Sequence, residues 1–156
     1  MIASDQEVNL FEYMLQRMLQ RYLDPALTGA SRRSAQYYAL KPLLPAVYIL
    51  LSGLARFGSN EAPAITAAYQ TGLRELPAGE HPAEPLLPEE CGLVQIDAAL
   101  TQLQLSSPAI KRMVLQAGSA CVGADRTVTM EEAELLRAVA DSLDCPLPPF
   151  LDVVAA

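Results

Sequence analysis

Tryptophan is absent from this 156-residue chain, and only nine phenylalanines and tyrosines supply its aromatic content. Val, Ile and Thr together contribute 20 residues, against 25 Leu and 24 Ala. Residues that favour a pleated surface are scarce and good helix formers abundant, which argues against a mainly β protein. Basic side chains are few as well: 11 Lys and Arg face 18 Asp and Glu, a net charge of −7. A generic nucleic-acid binder needs a basic surface, so that class is excluded. The apolar share of 51% also excludes a disordered chain.

Cysteine is sparse and unpatterned. Cys91, Cys121 and Cys145 have no C-x-x-C spacing, and an odd count without a framework points to reduced thiols. Histidine occurs once, at His81, so no second imidazole can share a zinc with it. Nucleophile-elbow, phosphate-loop and dinucleotide patterns are missing, and no catalytic or cofactor-binding residue is assigned. Long apolar runs are missing too. The longest, Leu43 to Leu54, is about half of a membrane span and contains Pro45, so it reads as a buried helix. Asp5 and Glu7 interrupt any early apolar run, so no signal peptide is expected at the start of this sequence.

What is present is helical periodicity broken by proline. Phe11, Leu15, Met18 and Tyr22 share one face of a helix over 10–23, which Asp24-Pro25 stops. Pro42 or Pro45 suits the first turn of a helix to about Phe57, with Gly58 as its C-cap. Asn60 is expected to cap a helix ending before Pro77. Leu93, Ile96, Leu100 and Leu103 mark another, and Ser107-Pro108 opens one running to about Val122. A last helix is expected from Met130 to Leu143, followed by an apolar, proline-stiffened tail.

These elements predict an all-α fold. Residues 77–90, PAGEHPAEPLLPEE, hold four of the 12 prolines and no lysine or arginine. They divide the chain into a helical half over 1–76, an acidic linker over 77–90 and a second helical half over 91–156. Charge follows this division: residues 1–76 carry +1, and residues 77–156 carry −8. In the first half, Arg32, Arg33 and Lys41 could bring the chain near an anionic membrane surface, although a solvated polar face explains them as well.

The sharpest signal is an internal repeat. SDQEVNLFEYMLQRML from Ser4 aligns with ADRTVTMEEAELLRAV from Ala124. Asp5 matches Asp125, Val8 matches Val128, Glu12 matches Glu132, and the N-capping types Asn9 and Thr129 coincide. In each copy the Asn or Thr can accept from the third helical N–H while the Glu reaches back, a capping box. Val8 and Val128 precede the caps as staple residues, and Asp5 and Asp125 can hold the incoming loop. The competing reading makes Asp5, Glu12, Asp125 and Glu132 metal ligands. A calcium loop, however, needs oxygens at alternate positions and a Glu at the twelfth, which this spacing lacks. Adjacent Glu131 and Glu134 are expected to lie with Glu132 on a solvated first turn. Tyr37, Tyr38 and Tyr48 are expected to fill gaps in the core. The second copy has its own preceding helix and the first has almost nothing before it, so the chain is expected to be cut from a longer protein.

The repeat D-x-x-V-[NT]-x-x-E-x-x-L-x-R resembles the loop-and-helix signature of TerB-like helical domains. Together with PAIKRMVLQAGSACVGADRTVTMEEAELLRAVADSLDCPLPPFL, it makes essentially the whole chain similar to the C-terminal soluble region of bacterial HtpX-like membrane zinc metallopeptidases. The resemblance implies a non-catalytic interaction or regulatory module on the cytoplasmic side of the inner membrane. Its implied partner is the parent protease domain or another protein, and its zinc would belong to that catalytic domain. The H-E-x-x-H of such enzymes is not in this chain, so no protease residue carries over. A free-standing TerB-like binding module, for metal or stress signalling and without enzymatic activity, is the alternative.

Overall fold

The computed structural model describes residues 12–17, 19–20, 23 and 35–145. Among them the fold is all-α, with no strand; the one bridge pairs Tyr37 with Ser106. Five α-helices follow in order: α1 Leu44–Gly58, α2 Ala62–Leu73, α3 Leu93–Gln104, α4 Pro108–Val122 and α5 Met130–Ser142. The described residues ahead of them, within 12–23, are helical as well.

Helix α1 is the axis of the molecule. Its run LPAVYILLSGLARFG buries eight consecutive or near-consecutive residues, among them Val47, Leu50, Leu51 and Leu54. A helix apolar on nearly every side must be surrounded, and α2, α3 and α4 pack around it. Helix α5 then closes on α4 and α3. Leu100, Leu103, Val114, Leu135, Val139 and Leu143 fill the space between them and join the α1 residues in one core cluster. That core draws on helices from both sides of the 77–90 segment.

Glycine sets how closely two of these helices approach. At Gly72 on α2 an added Cβ would stand 2.9 Å from the Ala117 carbonyl oxygen and 3.1 Å from the Cys121 Cβ. Backbone meets backbone there, so α2 and α4 touch at a distance only glycine permits.

The 77–90 segment is fastened along α1 by side chains. Leu86 donates its N–H to Ser52 Oγ at 2.9 Å, and Arg56 Nη2 donates to the Leu86 carbonyl at 2.6 Å. Gln70 Nε2 reaches the Ala83 carbonyl at 3.1 Å. His81 sits with Nδ1 2.8 Å from the Tyr48 hydroxyl and Nε2 3.0 Å from the Pro77 carbonyl. A carbonyl can only accept, so in the neutral ring Nε2 carries the hydrogen and Nδ1 accepts from Tyr48. At the other end, Tyr13 and Arg17 both bind Asp97 of α3, and Met14 is buried against the core.

Several local expectations need correction. The N-cap of α2 is Glu61, not Asn60, and it makes no side-chain cap; Ser59 Oγ instead accepts the Glu61 N–H at 3.1 Å. Gly58 is the last residue of α1 rather than its cap, because the chain turns extended at Ser59. Tyr38 is 77% exposed and fills no core gap. The 3₁₀ turn Lys41–Leu43 absorbs Pro42, leaving Pro45 to open α1. Arg32, Arg33 and the tail beyond Cys145 lie outside the described residues, while Lys41 is exposed. No described helix is long and apolar enough to cross a membrane.

Candidate functional site

The second copy of the repeat forms the connection between α4 and α5. Gly123 follows α4, and Arg126 adopts a left-handed conformation at φ 64°. That turn lets Asp125 Oδ1 accept the Thr127 N–H at 2.9 Å, holding the incoming loop. Thr129 then caps α5. Its Oγ1 accepts from the Glu132 N–H at 3.1 Å, and Glu132 Oε2 accepts from the Thr129 N–H at 2.9 Å. The capping box read from the sequence is formed in full at this copy. Val128, just before the cap, is half-buried against the core.

Glu132 is not on a solvated turn with its neighbours. Only 7% of it is exposed, whereas Glu131 stands in the open and Glu134 is ion-paired with Arg137 at 2.6 Å. Burial pushes the Glu132 carboxyl above its ordinary range, opposed by the Thr129 backbone hydrogen bond and reinforced by the Asp125 charge. Its second oxygen, Oε1, lies against Gly58 at the end of α1. A Cβ on that glycine would stand 2.7 Å from it.

Around Glu132 opens a cavity of about 140 Å³. Leu54, Ala55, Gly58 and Ser59 of α1 and its end form one wall, and Ala64, Ala67 and Ala68 of α2 another. Cys121, Val122, Ala124 and Asp125 complete it. The space exists because α2 presents methyl groups where larger side chains would fill it. Cys121 is buried, with its thiol directed at the Leu51 carbonyl 3.5 Å away. Burial first, and then the Glu132 charge, push that thiol up to about 12. It behaves as a small core residue rather than a nucleophile, since the thiolate is the reactive form.

Two of the four acidic residues of the repeat, Asp125 and Glu132, thus line one cavity. Glu12 is exposed on the N-terminal helical segment and takes no part in it, and Asp5, Val8 and Asn9 lie outside the described residues. Among the described residues no group of three His, Cys, Asp or Glu side chains is placed to hold a metal ion. The contributions of Gly58 and of the three alanines carry no motif. Their only trace in the sequence is a spacing of small residues at 64, 67 and 68 on one helical face.

Comparisons with protein-family models, with curated proteins and with solved structures returned no match.

Proposed function

We propose that this chain is a non-catalytic helical interaction module, the C-terminal region of a membrane-bound zinc metallopeptidase facing the cytoplasm. One observation carries the reading: polar residues of the motif on which the resemblance rests are occupied by architecture. Asp125 holds the loop, and Thr129 and Glu132 close a capping box. A module whose characteristic polar residues build a loop–helix junction is suited to presenting a surface rather than to turning over a substrate. The residues here do not fit a zinc centre of that enzyme class. The only histidine, His81, is hydrogen-bonded at both ring nitrogens to its own fold. Zinc chemistry would reside in the catalytic domain of the parent protein, and no step is assigned to this chain.

The test is twofold. The purified chain, incubated with zinc and an unfolded substrate such as casein, should show no metal-dependent cleavage. Robust cleavage would overturn the non-catalytic reading. The reading frame upstream of the Met1 codon should encode apolar spans and an H-E-x-x-H helix; a frame without them removes the peptidase and leaves a free-standing helical module.

A further inference from the structure

Helix α1 runs through the core, yet three of its side chains carry hydrogen-bonding groups: Tyr48, Ser52 and Arg56. They stand at i, i+4 and i+8, along one inclined ridge of the helix. All three are spent on the 77–90 segment. Tyr48 meets His81 at 2.8 Å, Ser52 Oγ accepts the Leu86 N–H at 2.9 Å, and Arg56 donates twice to the Leu86 carbonyl, at 2.6 and 3.1 Å. From α2, Gln70 Nε2 reaches the Ala83 carbonyl. Both polar backbone atoms of Leu86 are thus bound by side chains, and main-chain contacts of this kind are what hold an extended peptide on a protein surface.

The segment gives little to the core in return. Of its residues only His81, Pro85 and Leu86 are half-buried, the rest are exposed, and none joins the core cluster. Its attachment therefore consists of hydrogen bonds, which water replaces at small net cost, rather than of apolar burial. A polar group beside this attachment is left unmet. Tyr69, fully enclosed on α2 and near enough to Tyr48 to feel its charge, has a hydroxyl with no hydrogen-bond partner among the described residues. A buried hydroxyl without a partner is unfavourable, so the closed segment does not satisfy this face completely.

We propose that the Tyr48–Ser52–Arg56 ridge, with Gln70, is a docking site for an extended peptide of a partner protein, and that residues 77–90 fill it in cis as a displaceable strap. The site binds backbone, so the incoming segment needs little sequence in common with the strap. It must offer a free N–H at the position of Leu86, which excludes proline there. Arg56 is the charged group of the ridge, and the strap it holds carries Glu80, Glu84, Glu89 and Glu90 with no lysine or arginine. The partner segment is accordingly acidic or neutral. The site stands apart from the peptidase reading, since only contacts within this chain define it.

Leu86→Pro removes the N–H that Ser52 accepts and releases the strap in cis. The full-length variant is titrated with the acetylated, amidated peptide EHPAEPLLPE, residues 80–89 of the strap. The Arg56 Nε–H and Gln70 side-chain amide resonances should shift saturably, with a dissociation constant of about 0.1–1 mM for so short a peptide. A peptide that itself carries Leu86→Pro should bind at least about ten-fold more weakly. The unaltered chain, whose own strap competes at high effective concentration, should also bind the first peptide at least about ten-fold more weakly than the variant does. His81→Ala loosens the strap at its Tyr48 end, leaves Ser52 and Arg56 in place, and should fall between the two. No saturation in either folded variant by about 5 mM peptide, or equal affinity for the proline-bearing peptide, would overturn the proposal. So would a Leu86→Pro chain that fails to fold, because the strap would then be part of the fold it is said only to cover. A dimer of the unaltered chain that the free peptide dissociates would make the occupant a second copy and overturn the partner assignment.

Discussion

At the scale of single residues, position 132 shows how one side chain can serve two environments. The Glu132 carboxylate completes the cap of α5 with one oxygen and faces an alanine-lined cavity with the other. Its capping partner is the cleaner probe of the motif, because Thr129 is exposed and its replacement leaves no hole in the core. Thr129→Ala should lower stability by about 1 kcal/mol, which for a chain of this size is a fall of roughly 2–4 °C in Tm by thermal circular dichroism. Thr129→Ser, which keeps the hydroxyl, should stay within about 0.5 kcal/mol of the parent. A Tm unchanged in the alanine variant would mean that the box contributes nothing. This cap was legible in the sequence because capping is local chemistry over four residues. The burial of Glu132 was not. It depends on Gly58, which is 74 positions away and meets it only when α1 and α5 are brought together.

At the scale of elements, helix boundaries followed proline and side-chain caps where these were strong. Ser107-Pro108 opens α4 as expected, with Ser107 Oγ accepting from the Ile110 N–H, and α4 ends at Val122 before Gly123. Where the signal was weak it misled. Asn60 offered a good capping side chain, but Pro63 sets the first turn of α2 and the cap position falls on Glu61. Packing between elements was not legible at all. Gly72 looks like an ordinary helix-weakening glycine in sequence, yet it is the contact between α2 and α4. In Gly72→Ala, the gain of about 1 kcal/mol in helix propensity is outweighed because the Ala117 carbonyl cannot move without shifting α4. A net loss on the order of 1–2 kcal/mol is expected, read as a lower urea midpoint at unchanged m-value. By contrast, a methyl on Gly118 would meet the ends of Leu136 and Leu54 at 3.3 Å, flexible groups that can adjust, so Gly118→Ala should cost less.

For the whole molecule, the shared core makes stability depend on groups that ionise only in alkali. Cys121 and Tyr69 are buried, with Tyr69 fully enclosed, and burial raises both to about 12 from 9.0 and 10.0. Tyr13, half-buried beside Asp97 and Arg17, is raised to about 12 for the same first reason. For an acidic group with its folded pKa above its unfolded one, the folded state holds the proton longer. The stability it contributes is therefore complete below pH 9 and is lost as pH rises toward 12. The urea midpoint should be insensitive to these groups between pH 7 and 9 and fall steeply above it. Replacing Cys121 by Ala should make that fall shallower. A midpoint that holds constant to pH 11 would mean that these groups are not held neutral by burial.

The all-α class was determined by the sequence alone, because helix propensity, 3.6-residue periodicity and proline punctuation act over a few neighbouring residues. The capping box at Thr129 and Glu132 belongs to the same category. The tertiary structure decided which of these helices is central, how the 77–90 segment is fastened, and that an apparently solvated glutamate is enclosed beside a cavity. Those outcomes rest on contacts between residues far apart in the chain: Ser52 with Leu86, Gly72 with Ala117, Gly58 with Glu132. Each such contact exists only after the apolar faces have been buried together, so no local pattern encodes it.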